Sequence, residues 1–133
     1  MATPPLWSHT TALTADPPSA SLARDFVRGH LLRHGLPSMV DTLRLAASEL
    51  ATNAMVHAQT PFTVHLSRTD HRVLLVVEDD SAKAPVPVAS QALDDGGRGL
   101  AILAAISQGW GVTAAEGGAK SVWASFDVPH RTP

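Results

Sequence analysis

Glu49 and Asn53 stand four residues apart in the run Glu49-Leu50-Ala51-Thr52-Asn53-Ala54-Met55-Val56-His57-Ala58. On an α-helix that spacing sets a carboxylate and an amide side by side. The pair has a definite chemistry open to it: the carboxylate as a general base, the amide oxygen as a hard ligand for Mg2+, which takes oxygen donors and keeps waters. A second carboxylate, Asp79, follows the apolar run Val73-Leu74-Leu75-Val76-Val77. Period two places it on the face of Val73, Leu75 and Val77, where a buried acid needs a donor, and the exocyclic amine of adenine is one such donor. Gly97-Arg98-Gly99 opens a stretch of helical spacing and offers backbone donors and a positive dipole end to phosphate. Singly, each feature has an ordinary reading: a solvated helix face, a strand-ending turn, a flexible helix start. His57 falls on the apolar stripe of its helix, a packing position with no second ligand at metal spacing.

These groups need a scaffold, and the hydrophobic periodicity supplies one. Val40, Leu43, Ala47, Leu50, Ala54 and His57 recur at spacings of three and four, one apolar stripe of a helix running to about Ala58. Glu49 and Asn53 lie on a parallel stripe rotated by about 100°, at the margin of the core. Ser38 and Asp41 resemble a capping box at its start, and Pro61 is its stop. An earlier helix is predicted from Asp16 as cap and Pro17 at its first position, with Leu22, Phe26, Val27 and Leu31 buried and Gly35 ending it. Leu6 to Leu13 alternates as an edge strand. Phe62, Val64 and Leu66 alternate in a strand, Thr69-Asp70-His71 turns the chain, and Val73 to Val77 is apolar on both faces, as a central strand is.

From Asp80 to Gly97 periodicity stops among prolines, aspartates and glycines, which predicts a loop of the length that is usually functional or mobile. Leu100, Leu103 and Ile106 predict a third helix from near Arg98 to Gly109. Trp110 to Ala115 and Ser121 to Val128 make a terminal hairpin, with Ser121, Trp123 and Ser125 on one face and Val122, Ala124 and Phe126 on the other. The order of elements implies α+β, with helices on one face of a mixed, mainly antiparallel sheet.

Composition narrows the function classes. The 133 residues fit one domain able to bury roughly two thirds of its unfolded surface. Apolar residues at 44% and charged residues at 17% describe a globular chain, not a disordered one. Ten basic and twelve acidic residues, net −2 without a basic run, give no support to nucleic-acid or anionic-membrane binding. The absence of cysteine excludes disulfides, thiol catalysis and thiolate-held metals. No signal-like start and no apolar run of about 18 residues is present, which places the expectation in the cytoplasm.

Two phosphate-site decoys fall away. Gly97-Arg98-Gly99 has Ile102 where a dinucleotide fingerprint needs its third glycine, and Gly118-Ala119-Lys120-Ser121 lacks the adjoining Gly-Lys pair and precedes no helix. The four signals in order do form a pattern: Glu49-Leu50-Ala51-Thr52-Asn53-Ala54, Val77-Glu78-Asp79, Gly97-Arg98-Gly99-Leu100 and Ser121-Val122-Trp123. Together they resemble the Bergerat-fold ATP-binding domain of gyrase-B-like, Hsp90-like, histidine-kinase and MutL ATPases. With Trp110-Gly111-Val112 the chain is similar, from Pro17 to Val128, to the anti-sigma-factor serine/threonine kinases of the SpoIIAB and RsbW type, especially their actinobacterial branch.

The resemblance implies ATP and Mg2+ as cofactors. It makes Glu49 the base that activates a protein hydroxyl or water, and Asn53 the Mg2+ ligand. Asp79 would hold the adenine amine, with Ser121 at the family's usual threonine position helping at the same ring edge. Gly97, Arg98, Gly99 and Leu100 would cradle phosphates, under a lid over about 80–97. The implied partners are an anti-sigma-factor antagonist protein and a sigma factor, with homodimerisation among the implied assemblies. Ser81 and Lys83 replace glycines of the family's Asp-x-Gly-x-Gly box, so turns needing positive φ form less easily there. Two functional classes follow, a protein kinase and a non-catalytic nucleotide-responsive binding module, with a nucleotide-free small-molecule binder as a third.

Overall fold

In the computed structural model, which describes residues 4–79, 97–114 and 119–129, the sequence pattern becomes two long helices, a short one and five strands. In chain order these are β1 (Trp7–Leu13), α1 (Pro18–Arg33), a 3-10 turn (Pro37–Met39) and α2 (Val40–Asn53). A π-helical turn (Ala54–Ala58), β2 (Phe62–Arg68), β3 (Arg72–Asp79), α3 (Gly97–Ile106), β4 (Gly109–Ala114) and β5 (Lys120–Asp127) follow. The sheet runs β1-β2-β3-β5-β4. Every described pairing is antiparallel, so the expected α+β class holds and the expected mixed sheet becomes a wholly antiparallel one.

Strand register explains where the core sits. Val64, Val77 and Val122 form one cross-strand row, and Leu66, Leu75 and Ala124 the next. All six are buried, together with Phe62, Val73 and Phe126 on the same face. Onto that face α2 lays Leu43, Ala46, Ala47, Leu50 and Ala51, and the π-helical turn adds Ala54. Its alanines let α2 approach its neighbours closely, while Leu43 and Leu50 each contribute roughly 1.5–3 kcal/mol by leaving water. α2 packs on α1, α3 and β3. That packing fixes the rotation of α2, and with it the direction in which Glu49 and Asn53 face.

Helix boundaries depart from the expected signals in instructive ways. α1 buries Ser19, Ala23, Val27 and Leu31, a strict four-residue ladder that rotates Leu22 outward to 51% exposure. Asp16 does not cap with its side chain; its carbonyl accepts from the Ser19 N–H at 2.9 Å instead. The capping box at Ser38 and Asp41 is likewise absent, because the 3-10 turn before α2 satisfies donors through the backbone, as in Met39 N–H to the Leu36 carbonyl at 3.1 Å. Gly35 does end α1, in the left-handed region at φ +75, which lets the Leu36 N–H reach the Leu31 carbonyl at 2.8 Å. The π-helical turn that continues α2 stops before Pro61, at Gln59, whose φ of +56 turns the chain out of it. On the outer face of the sheet, Gly111 lies under the Trp123 ring, where a Cβ would stand 2.9 Å from Cζ2.

Candidate functional site

The end of β3 is where the polar groups gather. Asp79 keeps strand pairing on both sides, opposite Phe62 on β2 and Lys120 on β5. Its side chain therefore follows Val73, Leu75 and Val77 onto the helix-facing side, and it is 2% exposed. Lys120 shares that face with Val122, Ala124 and Phe126 and is itself 8% exposed. Lys120 Nζ stands 3.7 Å from Asp79 Oδ2. Two opposite charges removed from water on the apolar face satisfy a requirement that neither meets alone.

Glu49 and Asn53 lie on the last turns of α2, both half-buried, beside the fully buried Leu50. Leu50 presses α2 into the core and leaves the adjoining stripe at its margin, as the spacing required. Arg24 Nη1 donates to Ser48 Oγ at 3.1 Å, tying α1 to α2 one residue before Glu49. Immediately after Asn53 the helix widens to π geometry, with the Gln59 N–H bonding the Ala54 carbonyl five residues back at 3.1 Å. Single π turns within helices occur frequently at functional sites. This turn packs on β3, the strand that carries Asp79.

α3 begins at Gly97, so Gly97, Arg98, Gly99 and Leu100 form its first turn; their side chains lie outside the described residues. Its buried Leu103 joins the core that α2 also fills. The expected lid segment 80–96, with Ser81 and Lys83, lies outside the described residues, as does the side chain of His57.

Ser121, expected beside Asp79 at the adenine edge, is turned to the other side of the sheet. It pairs with Glu78, not with Asp79, and its hydroxyl donates to Glu78 Oε2 at 3.2 Å on the opposite, exposed side of the sheet. The physical reason is parity: residues one apart on a strand point to opposite faces. The same parity points to the residue that motif reading missed. Lys120 precedes Ser121 and so falls on the face of Val122 and Ala124, a position legible from the alternation of the last strand.

The arrangement fits an adenine nucleotide. A buried carboxylate at a strand end accepts hydrogen bonds and suits an aromatic amine. The α3 start at Gly97 has backbone donors of the kind that suit phosphates, and the amide of Asn53 has a hard oxygen of the kind that suits Mg2+. Among the described residues no group of three or more histidines or carboxylates is placed to hold a metal ion, and no described helix is long and apolar enough to cross a membrane. A groove of about 1000 Å3 lies elsewhere, toward the start of β3, lined in part by His34, Arg68, Asp70, Arg72 and Asp127. Glu49, Asn53, Asp79 and Lys120 do not line it.

Residues 13–126 match the histidine kinase-like ATPase domain. The match spans most of the chain, and the chain belongs to that family: it is an ATP-binding domain of the GHKL kind. Among curated proteins there is no significant match.

Proposed function

We propose that this ATP-binding regulatory protein is an anti-sigma-factor serine/threonine kinase that phosphorylates an anti-sigma-factor antagonist and, when that antagonist is disabled, sequesters a sigma factor. The observation that carries the reading is the retention of Glu49 and Asn53 one turn apart at the margin of α2, next to the strand that ends in buried Asp79. ATP with Mg2+ supplies the phosphoryl group and neutralises its charge, so the protein's share of the work is positioning. Asp79 accepts the adenine amine. The backbone of Gly97, Arg98, Gly99 and Leu100 receives phosphate oxygens, and Asn53 contributes one oxygen to Mg2+, an ion that commonly binds through few protein ligands. Glu49 takes the proton of the incoming serine or threonine hydroxyl.

Slow ATP hydrolysis tests the catalytic part without knowledge of the protein partner, because water replaces the acceptor. Glu49→Ala is expected to bind ATP nearly as wild type and to lose about 10²–10⁴ in rate. Asn53→Ala is expected to lose both Mg2+-dependent binding and turnover. Equal hydrolysis by wild type and Glu49→Ala would remove Glu49 from the base role. Asp79→Asn should weaken ATP binding about ten- to a hundredfold through loss of a charge-assisted hydrogen bond.

A second reading, the non-catalytic nucleotide-responsive binding module, is favoured by one observation: Ser81 and Lys83 occupy positions where the family places glycine. ATP binding by wild type without any turnover would decide for it.

A further inference from the structure

Lys120 is a costly residue to have where it is. Its side chain is 10% exposed, its neighbours along the strand face are Val122 and Ala124, and its Nζ lies 3.7 Å from Asp79 Oδ2. Lysine is almost never buried without a partner. A lysine needed only for solubility would sit one position later, on the exposed face that Ser121 occupies.

We propose that Lys120 is the positioning residue for base recognition: it holds the Asp79 carboxylate in place as an acceptor and thereby makes the site select a 6-amino purine over a 6-oxo purine. The inference rests on the ATP-binding reading and deepens it. A carboxylate has two oxygens and about four lone-pair positions, so it takes an ammonium and an aromatic amine together. Cross-strand pairing of Asp79 with Lys120 sets both backbones, and the ammonium at 3.7 Å adds a charged restraint on the orientation of the carboxylate. A base carrying an amine then meets an acceptor already oriented. A base carrying an oxygen at the same position meets a carboxylate oxygen instead, and the two acceptors repel. On this proposal the positive charge of Lys120 serves the base end of the site through Asp79, not the phosphates.

The test compares ADP with IDP, which differ in this amine, by titration calorimetry on the full chain. Wild type is expected to prefer ADP by about ten- to a hundredfold, the range of one charge-assisted hydrogen bond. In Lys120→Met the preference should collapse to within about threefold while IDP affinity stays within about threefold of wild type, a split that general loss of structure does not produce. Lys120→Arg should restore the preference. A folded Lys120→Met that keeps the wild-type ADP/IDP ratio overturns the proposal.

Should Lys120→Met not fold, wild type still decides. The chain has two lysines, Lys83 and Lys120, so the ε-CH2 signals of 13C-lysine-labelled protein are assignable with Lys83→Arg. The Lys120 signal is expected to shift with ADP and not with tripolyphosphate. An equal shift with tripolyphosphate would place Lys120 at the phosphates and overturn the proposal. Absence of ADP and IDP binding by folded wild type would defeat the nucleotide reading itself, an outcome distinct from bound ADP with an unchanged ratio in Lys120→Met.

Discussion

Asp79 with Lys120 and the histidine corner at β1 withdraw polar groups from water in two different ways. On β3 and β5 the two groups carry opposite charge and share the apolar face. At the edge strand, His9 Nε2 meets His34 Nε2 at 2.9 Å, with the two nitrogens lying between rings whose centroids are 5.1 Å apart. The rings therefore meet end to end and share one proton, one nitrogen donating and the other accepting. His30 stacks on His9 at 3.7 Å and Trp7 stacks on His34 at 4.1 Å. His30 Nδ1 is buried and has no hydrogen-bond partner among the described residues. Arg33 and Arg68 add positive charge around the corner. The first region is held by charge and fails when one partner is removed. The second is held by neutrality and fails when charge is added.

Removing one partner of the buried pair should give the largest effect. Lys120→Met leaves Asp79 on the apolar face without its ammonium, and loss of one member of a buried pair costs about 3 kcal/mol or more. Urea denaturation is expected to show that loss, and Asp79→Leu combined with Lys120→Met should recover most of it, since apolar replacement of both partners is often near neutral. A double variant as unstable as the single one would mean that packing, not charge pairing, sets stability there.

Acid should act on the other region. The pKa values of His30 and His34 are lowered, first by burial and then by the electrostatic cost of adding a charge near His9, Arg33 and His34 for His30, and near His9, Arg33 and Arg68 for His34. The unfolded chain takes up these protons near its ordinary value of about 6.5 and the folded chain resists them. The corner's contribution is thus complete above that value and is lost as pH falls through the lowered folded values. His34→Gln keeps a polar partner for His9 but does not titrate. The melting temperature of wild type is expected to fall more between pH 8 and pH 5.5 than that of His34→Gln. Parallel pH profiles would assign the acid sensitivity to other groups.

The smallest effect belongs to Arg72 with Asp127, an ion pair of 3.3 Å whose side chains are 60% and 53% exposed. Asp127→Asn should change stability by less than about 1 kcal/mol, and by less still in high salt. A cost comparable to that of Lys120→Met would erase the distinction between buried and exposed pairing.

Much of this molecule is written in local pattern. The three-and-four spacing from Val40 to Ala54 required a helix with Glu49 and Asn53 at the edge of its buried stripe, and the run to Val77 required a strand that carries Asp79 inward. These follow from helix and strand periods, which belong to the backbone and need no knowledge of neighbours. Motif order pointed to the histidine kinase-like ATPase family in the same way. Tertiary structure decided what the periods leave open. It rotated Leu22 out of the core, because only one of two adjacent stripes on α1 faces α2 and the sheet. It replaced the predicted caps of α1 and α2 with backbone bonds. It paired β3 with β5, residues some forty positions apart, and so put Lys120 beside Asp79 and Ser121 beside Glu78. It brought His9 to His30 and His34 across two elements whose sequences show no common motif. A residue's face is set by its own strand, but its partner is set by register, and register depends on the packing of the whole sheet against its helices.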